Sequence, residues 1–326
     1  MSSVVISGDT SGAITLAAPA VAGSNTLTLP VGTDTLVGLA ATQTLTNKTL
    51  TNPVISTIVN TGTLTLPTSS GTLLNTSNAS QEIGQCRLVL SSTTAIKLNP
   101  CDGQYIKIAG TFYTIPSGGV TLTNSGLSSS TLYYIYAYVS GGNVALSAST
   151  TGYTTDSTSG NIGTPILSGN NAYTLVGMAY TNASTQFADD SGNRNLLSYF
   201  NRLDKNLFGS ASNYTTTSTS VVVVSPSMVG ALNWANDGIC VFVGGQGGMT
   251  SNYALARALY DNSASNLFGM YQYIYGPSGS LNPPTMVGGW HQPSEGYHTY
   301  YIGLGAVSGS GTATINNTSA TGYVRG

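Results

Sequence analysis

Apolar and polar residues alternate with a period of two along much of this chain, which places successive side chains on opposite faces of an extended strand. The clearest run covers residues 131–139. There Tyr134, Tyr136 and Tyr138 line one face, and Tyr133, Ile135, Ala137 and Val139 line the other. Similar runs lie at 86–90, 105–108, 111–115 and 173–180, and Gly141-Gly142-Asn143 turns the chain from one run into the next. This spacing predicts a small antiparallel β domain over residues 81–193.

The period then changes. Leu196, Phe200, Leu203 and Leu207 recur at intervals of four, three and four, and Leu197 widens the stripe. Asn193 reads as a cap and Gly209 as a stop, so a helix over 194–208 is predicted, with 194–209 as a helical connector. Beyond it, short strand runs return at 221–224 and 239–243. Tyr271, Tyr273 and Tyr275 alternate, as do Tyr297, Thr299 and Tyr301. Residues 253–260 fit helix or strand, and the glycine run 244–248 reads as a mobile turn. Residues 210–326 therefore read as a β-sandwich or jelly-roll-like domain. The fold class is mostly β, with one short helix.

Residues 1–80 differ from the rest. They hold no aromatic residue, and only Asp9, Asp34 and Lys48 carry charge. Thr26-Leu27-Thr28-Leu29-Pro30 returns 37 residues later as Thr63-Leu64-Thr65-Leu66-Pro67, each followed by a Thr-Leu strand start. Alternation places the leucines on one face, and each proline ends its strand or sets it at an edge. Two copies are fewer than the roughly three that stabilise a repeat stack. The expectation is an extended stem that neighbouring chains stabilise.

Composition narrows the function classes. Nine Lys and Arg against eleven Asp and Glu give a formal net charge of −2, and charged residues make up 6% of the chain, against about 25% in ordinary domains. A phosphate-binding groove needs clustered cations, so nucleic acid is an unsuitable partner. Residues 13–31 are broken by Pro19, Gly23, Ser24 and Asn25, and no 18-residue apolar run suits a bilayer. The first residues lack the basic flank of a secretory signal. Cytoplasmic synthesis without membrane insertion is expected. The three cysteines form no Cys-x-x-Cys pair; Cys86 and Cys101 read either as a bridge across a hairpin or as two free thiols.

No nucleophile elbow or Walker-type phosphate loop is present. Asp189-Asp190 precedes Ser191-Gly192-Asn193 and reads as a turn that starts the helix, with divalent-cation binding as the alternative. His291, Glu295 and His298 have ligand chemistry, but Pro293 and Gly296 make the intervening segment a loop. Structural hydrogen bonding is the first reading there, with metal binding or catalysis behind it. Trp234, Trp290, Tyr297 and the Tyr271/Tyr273/Tyr275 face read as core or as a recognition surface. No catalytic residue, metal ligand or cofactor is assigned, and the chain is not expected to be an enzyme.

Two motifs carry a family resemblance. Gly32-Thr33-Asp34-Thr35-Leu36-Val37-Gly38 and Thr44-Leu45-Thr46-Asn47-Lys48-Thr49-Leu50-Thr51-Asn52-Pro53 resemble the attachment or shaft region of bacteriophage virion fibre proteins, tail fibres in particular. Ser198-Tyr199-Phe200-Asn201-Arg202 resembles the end of a β module found in phage structural proteins. The resemblance covers the N-terminal third and the central junction. It implies a virion location, mounting on other virion proteins through residues 1–80, a homotrimer, and a C-terminal domain facing a host glycan or protein. Leu196, Phe200, Leu203 and Leu207 are then the candidate contacts between identical subunits. The alternatives are a head fibre or capsid decoration protein and, from another class, a tailspike glycan depolymerase. The last needs a long coil repeat and paired carboxylates, which the sequence lacks.

Overall fold

The computed structural model describes residues 3–17, 20–21, 23–24, 31–32, 82–211, 214–223, 228–249, 254–261, 267, 272–275, 284–306 and 311–324. Among these residues every regular element is a strand. The helix expected over 194–208 is absent, and the fold is all-β. The chain divides into two units, residues 1–71 and 72–326.

In the first unit, β1 (Ser3–Ser7) and β2 (Ala13–Ala17) pair as an antiparallel hairpin. The Gly8 amide donates to the Gly12 carbonyl at 2.9 Å and closes the turn. Val4, Val5 and Ile6 are all exposed although they point to alternate faces, so this hairpin buries neither side. The 37-residue repeat and the fibre-like motifs lie almost wholly outside the described residues.

The second unit begins with a two-layered module. One layer joins β3 (Cys86–Ser92), β4 (Ala95–Pro100) and β7 (Val120–Thr123), beside the hairpin of β5 (Tyr105–Ile108) and β6 (Thr111–Thr114). The facing sheet contains β8 (Leu132–Ser140), β9 (Asn143–Ser149), β10 (Tyr153–Thr155), β11 (Pro165–Leu167) and β12 (Asn170–Tyr180), in the order β10-β11-β12-β8-β9. Leu88, Ile96, Leu98, Ile106, Ile135 and Val176 fill the space between the layers. Full burial of each such side chain contributes roughly 1.5–3 kcal/mol. Tyr136 leaves β8 on the opposite face and meets Leu175, Met178 and Leu197, together with Leu232 and Trp234 from the following module.

The segment with helical spacing runs through three strands instead: β13 (Asn193–Arg194), β14 (Leu196–Ser198) and β15 (Lys205–Ala211). Its backbone groups find partners across the chain rather than along it. The Tyr180 amide donates to the Asn195 carbonyl at 2.8 Å, and the Tyr199 amide to the Val176 carbonyl at 2.9 Å. Asp189 Oδ1 accepts from the amides of Asn195 (2.8 Å) and Leu196 (3.2 Å). Asn201 adopts a left-handed φ of 48°, which breaks any regular continuation. Gly209 does not stop a helix. It lies inside β15 where an added Cβ would stand 1.7 Å from the Met228 carbonyl oxygen, so close backbone approach demands glycine. Tertiary pairing overrides the i, i+3, i+4 pattern.

The last module adds β16 (Tyr214–Thr216), β17 (Val222–Val223), β18 (Val229–Asn233), β19 (Ile239–Met249), β20 (Ala254–Asp261), β21 (Gln272–Tyr275), β22 (Pro284–His291), β23 (Gly296–Ala306) and β24 (Ala313–Val324). One sheet has the order β13-β18-β23-β20-β21, with β17 on β23. The other runs β15-β24-β19-β22, with β16 on β24. Taking β15, β18, β19, β20, β21, β22, β23 and β24 as the eight principal strands, the chain changes sheet at each step except β20 to β21. That is jelly-roll connectivity. Val229, Val241, Val287, Ile302, Leu304 and Val324 share the core. The glycine run 244–248 is not a turn. It lies within β19, with a bulge between Gly244 and Gln246. Residues 254–260 are strand.

Candidate functional site

Among the described residues, one sheet face of the jelly roll carries large apolar side chains that are about half exposed. Register on the β15-β24-β19-β22 sheet aligns Asn206, Tyr323, Cys240 and Trp290 in one row. Phe208, Thr321, Phe242 and Gly288 form the next, and Ser210, Ser319, Gly244 and Met286 a third. Residues of the opposite phase, among them Leu207, Val241 and Val287, point into the core, so these three rows face outward. Phe208, Phe242, Met286, Trp290 and Tyr323 are between 43% and 64% exposed. No row contains a charged residue. At the margin, the Tyr323 hydroxyl donates to Asp204.

Glycines shape this face. A Cβ on Gly288 would stand 2.4 Å from the Phe242 ring, and one on Gly238 would stand 1.8 Å from the Trp290 ring. Each ring fills the space above a glycine. Five large side chains, each about half exposed, give on the order of 500 Å² of apolar area, near the upper end for the largest patch of a monomer.

A second aromatic group is fully used within the fold. Trp234 is buried, with its ring edge-on to Tyr153 and Tyr199 at centroid distances of 5.8 and 5.2 Å. The Arg202 guanidinium lies over both Tyr199 and Trp234 and pairs with Asp237 at 3.0 Å. Glu295 reaches across from the β22–β23 turn and accepts from the Tyr134 hydroxyl (2.7 Å) and the Tyr153 hydroxyl (3.1 Å). Burial and the Glu295 carboxylate push the Tyr153 phenol up to about 12, and the same two causes raise Tyr134. Tyr297 stacks on Tyr180 at 3.9 Å. This cluster locks the jelly roll onto the β8–β12 sheet.

His291, Glu295 and His298 do not converge. Both histidines meet Asp261: His291 Nε2 lies 2.9 Å from Oδ2, and His298 Nδ1 lies 2.8 Å from the same oxygen. Asp261 is buried, which pushes its carboxyl up, but hydrogen bonds from His298 and His291 outweigh burial and hold it below its ordinary value. His298 Nε2 lies 2.9 Å from the Ser294 carbonyl oxygen and 3.5 Å from its hydroxyl. The nitrogen is therefore closer to a carbonyl than to a proton it would have to remove. Among the described residues no group of three or more His, Cys, Asp or Glu has metal-binding geometry. Asp261 went unread in the sequence. Its signal is a lone carboxylate ending an apolar run, since a buried charge needs partners.

The other candidates separate. Leu196 is buried between the layers of the first module, and Leu207 in the jelly roll. Phe200 packs beside the former core and is edge-on to Tyr199, whereas Leu203 is 58% exposed. The four share no helical face. Asp189 holds Lys205 at 2.7 Å, and Asp190 Oδ1 accepts from the Gly192 and Asn193 amides, both at 2.8 Å. The pair organises a turn but starts no helix. Cys86, Cys101 and Cys240 are free thiols. Burial, followed by the neighbouring Cys101, pushes Cys86 up to about 12, which makes it a poor nucleophile. The side chains of Tyr271, Tyr273 and Tyr275 lie outside those described.

No protein-family model matches the sequence, and no curated protein matches it. Among solved structures, the infectious bursal disease virus Gx strain is 11% identical, with 74% of this chain and 72% of that chain covered at a TM-score of 0.25. The Bacillus thuringiensis insecticidal crystal protein Cry7Ca1 is 8% identical, with 72% and 50% covered at a TM-score of 0.21. At TM-scores this low, neither likeness bears on what this chain does.

Proposed function

We propose that this chain is a homo-oligomeric virion structural protein of the phage fibre or decoration class. It mounts through residues 1–80 and self-associates through the outer face of its jelly roll. The observation that carries the reading is the uncharged sheet face bearing Phe208, Phe242, Met286, Trp290 and Tyr323. A second copy of the chain is the occupant that suits it. A homomeric contact wants an apolar centre with a polar margin and roughly 800 Å² per partner. The aromatic patch supplies most of that centre, and Asn206, Ser210, Ser319 and Thr321 supply neutral polar neighbours. The protein then works by assembly and presentation rather than catalysis. Asp189, Asp190, Asp237 and Asp261 are all engaged in turns or pairs within the fold, which supports that reading.

The expected oligomer is a trimer. A capsid-decoration or head-fibre form is favoured over a long tail fibre by one observation: among the described residues the strands pack as sandwiches, and none repeats as a shaft would. Sedimentation of the full chain tests the assembly. Wild type should sediment as a trimer, and a Phe242→Ser/Trp290→Ser double variant as a folded monomer whose melting temperature, unlike that of wild type, does not depend on protein concentration. A wild-type monomer at particle-like concentrations overturns the reading. Imaging of assembled particles distinguishes capsid from tail by the mounting point.

A further inference from the structure

We propose that a groove in the first module of the second unit binds an uncharged, hydroxyl-rich glycan chain. The groove has a volume of about 750 Å³ and opens to solvent between loop 101–104 and turn 116–119. Its walls carry Lys97 and Asn99 from β4, Asp102 and Gln104 from the loop, Tyr105 from β5, and Gly118. The inference stands apart from the assembly reading, because every lining residue lies within one module and none belongs to the outer face of the jelly roll.

The chemistry of the lining selects the ligand. The Asn99 and Gln104 amides and the Tyr105 phenol each offer both a donor and an acceptor. None of these side chains has a hydrogen-bond partner among the described residues. Sugar hydroxyls also donate and accept, so the two sets complement each other. Lys97 and Asp102 bring one charge of each sign, which gives a phosphate or a polyanion no net attraction. No aromatic or aliphatic wall is broad enough to hold a lipid tail. The cavity is broadly open to solvent, which suits part of a longer chain rather than an enclosed small molecule.

The groove is also built before any ligand arrives. Gln85 Oε1 accepts from the Gln104 and Tyr105 amides, both at 3.1 Å. The Cys101 amide donates to the Gln85 carbonyl at 3.0 Å, and the Ile115 amide to the Gln104 carbonyl at 2.7 Å. Gly103 has a φ of +136°, and a Cβ there would stand 2.1 Å from Gln85 Oε1. Asp102 itself adopts a left-handed φ of 56° on the groove rim. Backbone held in so sparse a region by surrounding hydrogen bonds is a feature of pre-organised binding loops.

Calorimetry and saturation-transfer NMR on the full chain test the proposal, with cellotetraose, maltotetraose and tetra-N-acetylchitotetraose as uncharged probes and hexagalacturonate as the acidic comparison. At least one uncharged probe should bind saturably, with little change when salt rises from about 0.05 to about 0.5 M. Gly118→Phe should weaken that binding by at least about tenfold, a difference of about 1.4 kcal/mol. Gly118 lines the groove and nothing lies within 4 Å of its Cβ position, so a side chain can be added there without a backbone clash at Cβ. Gln104→Ala, at an exposed side chain, gives a second variant in case the first melts early. Three results overturn the proposal: no saturable binding of any uncharged probe, binding that persists in both variants, or a preference for hexagalacturonate.

Discussion

Two aromatic groups in this molecule have similar composition and opposite fates. At the junction, Trp234, Tyr153 and Tyr199 lie beneath another module, and their polar neighbours Arg202 and Glu295 have partners. On the outer β15-β24-β19-β22 sheet, Phe242 and Trp290 lie above glycines and are about half exposed among the described residues. The junction rings are dedicated to stabilising the chain itself. The outer rings are only about half buried and contribute less to the isolated chain than the junction rings do.

The comparison predicts a graded series of effects. Trp234→Ala removes the centre of the covered group and should cost about 3–5 kcal/mol, read by chemical denaturation. A loss below about 1 kcal/mol would mean that the junction is not a packed core. Glu295→Ala comes next. It strips a charged acceptor from two half-buried phenols and should cost about 1.5–3 kcal/mol. Ultraviolet titration of Glu295→Gln should show Tyr153 ionising below the value of about 12 that burial and this carboxylate impose; an unchanged phenol titration would contradict the contact.

A smaller effect concerns acid. Because the folded Asp261 carboxyl lies below its ordinary value of about 3.9, its contribution is fully present above that pH and is lost as pH falls through the folded value. Thermal melts should therefore steepen their decline in strong acid, and Asp261→Asn should flatten that slope. An identical acid profile in wild type and variant would remove Asp261 from the account. The smallest effect separates the two aromatic groups most sharply. Phe242→Ser should cost the monomer about 1 kcal/mol, because about half of the ring is already exposed. A loss as large as that of Trp234→Ala would show that the outer rings hold the fold rather than await a partner.

The junction was legible in pieces. The alternation of Tyr134, Tyr136 and Tyr138 reads directly as one face of a strand, and β8 carries it. Which face would be covered, and by what, is absent from that pattern, because Trp234 and Glu295 lie about one hundred residues or more further along. Asp261 escaped for the same reason. Its two histidine partners come from β22 and the start of β23, brought to it by sheet order rather than by sequence spacing.

By itself the sequence determined β character, through its period-two runs, its Thr, Val and Tyr content and its turn glycines. It also determined that charges are few. It did not determine what residues 194–208 become. Leu196, Phe200, Leu203 and Leu207 satisfy a helical period, but the helix is worth less than the pairings that the tertiary structure offers. Leu196 and Leu197 enter different cores on either side of β14, and Leu207 enters a third. A helical stripe would have buried one face only. A short strand between two layers buries both, and that extra apolar burial, visible only once the sheets are assembled, decides the outcome.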